Sequence, residues 1–589
     1  MRKSSLKTKT RIILGAVLSI VVLFALICIL GHLSLRYFDG EYINDIPSLH
    51  ISKNCKQAIV FVPHQDDDLF VAGPLIYNLR NKGIDTKVVF FTDGNAHDNI
   101  GHIRQQEAIK AETRLGVPPD DVICLQFPNR QQADTTDVCG VSSFALRDSM
   151  KVAIRKTITR YNPQLIVCSD LDFNRDHRLL AILFDEALGE LLKERDGYHP
   201  TVLKGFSYQT SYNAVKDFYC MNIISTKKPH DVQNPLYETD VPAYKWTNRV
   251  RVPMSGEMVT HASQTNVLYQ ALEEYRSQWV RDKTRAIING DNVFWLKRTD
   301  NLLNEADVTV SSGEVGRIND FKYYDSNNIS IQRKNNLVFS NHLWEADCSD
   351  KNPYITISLK KPTKLYELIL YDDPTLERNI KKVDLYLDGK YYKTVGPLSD
   401  VGLPTRIGFD VGVVASKVEL KNFECKIGSP AIVEVELFNK PAEDFVNFSV
   451  LKLKNKKTGD FLYRYYIPEE TKELELDYYS FGISNSLVTW TIQNKEGSNA
   501  RLEGNTVVFG DDFTECTVKI SSFSNPAIYD EVTLIKETRW NRFVYSFMTT
   551  YDQCILDFET AFYRNRIVGS FVRHTTFNPI KRFWKRITE

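Results

Sequence analysis

Apolar runs that end abruptly in charge set the pattern of the first half of the chain. Ala58-Ile59-Val60-Phe61-Val62 is stopped by Pro63 and followed at once by His64-Gln65-Asp66-Asp67-Asp68. Val88–Phe91 runs into Thr92-Asp93-Gly94. Leu165–Cys168 runs into Ser169-Asp170-Leu171-Asp172-Phe173-Asn174-Arg175-Asp176-His177. Short apolar runs rich in β-branched residues and bounded by turn formers predict buried strands. Between them, Leu69–Asn81, Arg104–Leu115 and Ser143–Tyr161 carry the spacing of amphipathic helices. Alternation from Lys56 to about Leu203 predicts βαβ units and a Rossmann-like, mostly parallel α/β sheet. Residues 205–298 complete that domain less regularly.

The pattern changes twice more. Residues 1–11 hold Arg2, Lys3, Lys7, Lys9 and Arg11 and no acid, and Ile12 to Leu30 is uncharged and mostly apolar. As a helix those nineteen residues would extend about 28 Å, close to the hydrocarbon thickness of a bilayer. The expectation is a cytoplasmic segment (1–11), a transmembrane signal anchor (12–31) and a spacer (32–52), with the rest of the chain extracytoplasmic. A cleaved signal peptide is the alternative. From Thr299 short alternating strands follow one another (Ile355–Leu359, Leu365–Tyr371, Lys382–Leu387, Lys417–Leu420), with a hairpin turn at Asp388-Gly389. Two β-sandwiches are expected, 299–440 and 441–537, after an α/β domain at 53–298. The tail, 538–589, carries nine basic against four acidic residues and many aromatics. It reads either as an interfacial membrane segment or as a helical hairpin packed on the preceding domain.

Composition narrows the function. A formal net charge of zero gives no support for nucleic-acid binding, and aromatics at 12% suit both sandwich cores and carbohydrate stacking. The ten cysteines form no Cys-x-x-Cys pair. The chemistry therefore lies in the loops that follow the strands. In an open parallel sheet, sites form at the carboxyl ends of strands. His64 and Asp67 are of the types that ligate a divalent cation, and Asp66 between them could take a proton from water. A third ligand is needed: His177 is one candidate, His97 and His102 are others. Asp176 could orient the site. Asp68 reads as the N-cap of the helix beginning near Leu69.

These residues carry a family resemblance. Pro63-His64-Gln65-Asp66-Asp67-Asp68 resembles the His-Pro-Asp-Asp-Glu motif of the PIG-L/LmbE-like zinc N-deacetylases, with Gln65 in place of proline and Asp68 in place of glutamate. Asp176-His177 resembles the family's second motif, Arg104-Gln105-Gln106-Glu107 its Arg-x-x-Glu helix, and Ala271-Leu272-Glu273-Glu274-Tyr275-Arg276-Ser277-Gln278 its late Tyr-x-Ser-Gln helix. The resemblance covers roughly residues 53–298. It implies one Zn2+, or another divalent metal, on His64, Asp67 and His177, and Asp66 as general base. It also implies hydrolysis of an N-acetyl group from an amino sugar, with Arg104, Asp93 and Asp172 as substrate contacts. Asn174 stands where many members carry His; it could donate a hydrogen bond to the tetrahedral oxyanion. Residues 306–438 resemble discoidin-type, galactose-binding-like modules. Val488–Ile520 is similar to bacterial immunoglobulin-like domains, with Trp490 as a core tryptophan. Together these imply a membrane-anchored deacetylase of a surface glycan or glycolipid. The competing expectation is a glycan-binding scaffold with a relict metal site.

Overall fold

The computed structural model describes residues 2–39, 47–95, 100–129, 142–171, 174–207, 248–259, 266–278, 291–323, 342–373, 379–399, 404–484, 487–544, 546–547 and 550. Statements about structure concern these residues. Expectations for His97, Asp172 and all of the tail beyond 550 lie outside them.

A first helix, α1 (Arg2–Asp39), contains the apolar N-terminal stretch. Among the described residues no helix is long and apolar enough to cross a membrane. Cys28, inside the stretch, and the side chains of 31–39 fall outside that description. What is described of α1 is turned to solvent: Leu14 is 70% exposed and Phe24 60%.

The α/β domain then runs β1 (Leu49–Ile51), β2 (Gln57–Val62), α2 (Asp67–Asn81), β3 (Asp85–Thr92), α3 (Gly101–Arg114), β4 (Val122–Phe127), α4 (Ser142–Tyr161), β5 (Leu165–Ser169), α5 (Arg175–Glu194), β6 (Thr201–Gly205), β7 (Val250–Val252), α6 (Val267–Glu274) and β8 (Asn292–Lys297). Seven strands form one sheet in the order β4-β3-β2-β5-β6-β8-β7. The first five are parallel, and β8 and β7 close the edge antiparallel. β2 explains the layering. Ala58, Val60 and Val62 face a core shared with α2, α3 and α6, while Ile59 and Phe61 face a second core built with α4 and α5. A strand covered on both faces needs an unbroken apolar run, which is what this sequence supplies. Each fully buried branched side chain contributes about 1.5–3 kcal/mol.

After β8 the described chain is β-rich. Sheets of four and five strands enclose one core around the fully buried Trp344. The hairpin at Asp388-Gly389 forms as expected, with φ of 48° and 76° at the two turn residues, the left-handed geometry that an Asp-Gly pair tolerates. A second pair of sheets follows. Trp490 there is half-buried against Tyr478 at its edge rather than enclosed in the core.

The stretch read as a spacer does more than connect. β1 pairs antiparallel with Phe448–Asn455, Leu49 opposite Val450 and Ile51 opposite Phe448, and so becomes the edge strand of the last sandwich. The two regions are also riveted elsewhere. The Arg251 guanidinium lies 3.4 Å from the centre of the Phe461 ring and 2.8 Å from Asp291. The backbone N–H groups of Arg251 and Met254 donate to the hydroxyls of Tyr479 and Tyr463 at 3.0 and 2.9 Å.

Candidate metal centre and active site

β2 and β5 are neighbours at the centre of the sheet. The chain leaves β2 toward β3 on one side and reaches β5 on the other, so a crevice opens between their carboxyl ends. The loop after β2 delivers His64, Asp66 and Asp67, and the N-terminus of α5 delivers Asp176 and His177. About a hundred residues apart in sequence, they meet in a few ångströms.

His64 Nδ1 and His177 Nε2 lie 3.0 and 3.1 Å from the same atom, Asp67 Oδ2, and 3.3 Å from each other. All three side chains are buried, and their ligand atoms fall within 4.8 Å of one another. The other carboxylate oxygen, Asp67 Oδ1, is buried without a hydrogen-bond partner among the described residues. Two imidazole nitrogens, a carboxylate and an orphaned oxygen are a donor set that fits zinc. Asp176 Oδ2 accepts from His64 Nε2 at 3.0 Å. Both ring nitrogens of His64 thus face carboxylates; were an ion held by Nδ1, the bond to Asp176 would keep the proton on Nε2, the outer-shell arrangement that fixes the ligating tautomer.

The electrostatics follow from the packing. Burial alone would depress His64, but its hydrogen bonds to Asp176 and Asp67 outweigh it and raise the imidazole above its ordinary value. Burial works against ionised Asp67 too. The charge of His177 and its hydrogen bond, with those of His64, overcome it and hold the carboxyl well below the usual range.

Beside this centre, Asp66 is 7% exposed and its Oδ1 lies 3.6 Å from the Arg104 guanidinium. Arg104 also donates to the carbonyls of Gly94 and Gln65 at 3.4 Å and to the Gln278 side chain. It therefore braces the loop that holds Asp66. Gln65 is fully buried and donates to the Thr92 carbonyl at 2.9 Å, tying the ends of β2 and β3 together. Asn174 caps α5, its Oδ1 accepting from the Asp176 N–H at 2.9 Å. The residue expected at the oxyanion thus also fixes the turn that presents His177.

Other expectations change. Asp68 is not the N-cap: α2 begins at Asp67, and Asp68 turns inward, where it accepts from the Tyr275 hydroxyl at 2.6 Å. Helix geometry forces this, because adjacent residues point about 100° apart. Asp93 accepts from Asn95 N–H at 2.9 Å and Asn129 N–H at 3.2 Å, so its carboxylate shapes the loop after β3. His102, on the first turn of α3, is exposed and outside the group of potential ligands. Sequence reasoning missed the roles of the late motif. Tyr275 meets Asp68, Ser277 donates to Glu107 through both its N–H (2.9 Å) and its hydroxyl (2.6 Å), and Gln278 receives Arg104.

A buried group of two histidines and an aspartate that could hold a metal ion, at the switch point of a parallel sheet, is compatible with several chemistries and does not by itself name one. Residues 59–188 match the family described as PIG-L, GlcNAc-PI de-N-acetylase, and this stretch is a PIG-L domain. No curated protein matches the chain. Among solved structures, the chain is similar to N,N'-diacetylchitobiose deacetylase from Pyrococcus horikoshii (15% identity over 42% of this chain and 85% of that one, TM-score 0.27). It is also similar to a deacetylase of the teicoplanin biosynthesis pathway (15%, 41% and 99%, TM-score 0.28). A family 32 CBM from C. perfringens NanJ is similar over 23% of this chain and 95% of its own (17% identity, TM-score 0.18).

Proposed function

We propose that the protein is a metal-dependent N-deacetylase that hydrolyses the acetamido group of an N-acetylated amino sugar and releases acetate. The observation that carries this reading is the buried His64–Asp67–His177 group with Asp66 beside it, inside a PIG-L domain. His64 Nδ1, Asp67 and His177 Nε2 would hold the ion; bound zinc would polarise the amide carbonyl and acidify water. The chain's own residues do the rest. Asp66 accepts a proton from the attacking water and returns it to the departing amine. Arg104, 3.6 Å away, holds Asp66 in place. Asn174, through its amide N–H, donates to the developing oxyanion.

The substrate is a surface glycan or glycolipid in this reading. Its support is the sequence stretch Ile12–Leu30, uncharged and mostly apolar, read as an anchor that would leave the enzyme outside the membrane. The β-rich region would hold or space the enzyme along the polymer. The test is acetate release from N-acetylglucosamine oligomers by the full-length chain with one equivalent of zinc. Release should collapse in Asp66→Asn and His177→Ala. A parent that binds no metal and releases no acetate would leave a glycan-binding scaffold as the better reading.

A further inference from the structure

The four-stranded sheet around Trp344 turns its outer face toward the α/β domain. Leu368 and Leu370 point into the sandwich core, whereas Ile369 and Tyr371, alternating with them, point out. Between this face and the α/β domain lies a cleft of about 390 Å3, within the size range of small-ligand sites. The α/β side supplies Trp295 and Lys297 from β8, Asp185 from α5, and Asp170 at the carboxyl end of β5. Asp170 belongs to the same inter-element loop as Asn174, so the cleft starts where the active-site loop starts.

The lining is aromatic and acidic, with six carboxylates against three cations among its described residues. The cations are already committed. Arg406 pairs with Glu367 at 2.9 Å, Arg298 with Asp300 at 2.6 Å, and Lys297 with Asp185 at 3.6 Å while lying 4.6 Å from the centre of the Tyr323 ring. Glu436 has no cation within ion-pair distance among the described residues. Its partners are the hydroxyls of Tyr323 and Tyr371, both at 3.3 Å, long for an O–H···O bond. Burial pushes its carboxyl up, and the charges of Lys297 and Arg406 and the two tyrosine hydrogen bonds only partly oppose this. Asp170 is 3% exposed; its Oδ1 lies 3.5 Å from the Lys204 ammonium, and its Oδ2 has no hydrogen-bond partner among the described residues. An excess of carboxylates over cations, with one unbonded carboxylate oxygen and walls of tyrosine and tryptophan rings, suits a compact cation carried on a flat, partly apolar body.

We infer that this cleft is a second saccharide site, selective for sugar residues that bear a free, protonated amine. The inference rests on the deacetylase reading and deepens it, because such residues are that reaction's product. The ammonium would sit between Glu436 and Asp170 against the ring faces. The enzyme would then grip the converted part of a polymer while the next acetamido group enters the active site.

The probes are the hexamers of glucosamine and of N-acetylglucosamine, with binding measured by calorimetry on the full-length Asp66→Asn protein so that turnover cannot intervene. The glucosamine hexamer should bind at least about tenfold more tightly. That preference should vanish in Asp66→Asn carrying Glu436→Gln or Tyr371→Ala, and survive with Tyr371→Phe, which keeps the ring. Equal binding of the two hexamers, or a preference that persists through Glu436→Gln and Tyr371→Ala, would overturn the inference. Acetate release from monomeric N-acetylglucosamine is read separately on parent protein, and Glu436→Gln should leave it unchanged. No release by the parent strikes the deacetylase reading; no amine preference strikes the cleft.

Discussion

Asp67 and Asp68 are consecutive residues of one helical turn, both fully buried, yet their surroundings drive their carboxyls in opposite directions. Asp67 faces two imidazoles and stays ionised far below the ordinary range. Asp68 faces Tyr275 and Glu112, and burial pushes it up to about 6. Burial, and then the charge of Asp68, push Glu112 well above the carboxylate range. The same loss of water thus leaves one cluster with an ionised carboxylate that could hold a cation, and the other with two carboxyls that hold on to protons more tightly than usual. Depth in the protein does not choose between these fates; the partners do.

The comparison breaks most visibly at the ligand itself. Asp67→Asn removes the charge that balances the ion, and acetate release should fall by at least about a hundredfold, with zinc lost on dialysis and read by atomic absorption. Asp176→Asn is the next step down. It leaves all three ligands but frees the His64 tautomer, so zinc affinity by competition titration should drop about 10–100-fold while the fold is retained. On the other side, Tyr275→Phe should leave zinc stoichiometry intact and cost about 1–2 kcal/mol in denaturant unfolding, the price of a buried acceptor losing its donor. Zinc loss in Tyr275→Phe would show that the two clusters are one unit. The smallest effect concerns Glu112→Gln. A carboxyl raised by folding favours the native state below its unfolded value near 4.5, and that contribution is lost as pH rises toward the folded value. Glu112→Gln should therefore match the parent in Tm at pH 4 and exceed it by a few degrees at pH 8, by calorimetry.

Much of the architecture was legible because local and global preferences agree. β2 is apolar on both faces and is covered on both; the charged loops behind β2 and β5 do converge. The start of α5 was readable as a turn followed by acid and histidine, but Asn174 as its cap was not, because the same amide was assigned only to chemistry. The long-range details were hidden. Nothing in Tyr275-Arg276-Ser277-Gln278 says that three of its side chains reach back to Asp68, Glu107 and Arg104, since those contacts span some 170 to 207 residues. Three residues of β1 carry too little pattern to name a partner, and the sandwich edge that accepts them is chosen by tertiary context. Trp490 misled in a simpler way, since a tryptophan in a strand packs as readily at a sandwich edge as in its middle.

The β1 pairing also bears on how the chain is made. Leu49–Ile51 is synthesised before the rest of the α/β domain, and the strand it pairs with ends about four hundred residues later. At ribosomal speeds of 5–20 residues per second, the delay is roughly 20–80 s. For the later part of that interval, once residue 188 has been added, the PIG-L domain has its full sequence, yet the strand that precedes it remains unpaired. Completion of the last sandwich is therefore a checkpoint on the whole chain, and a ribosome that stops short of it leaves an open strand edge for chaperones and proteases to find.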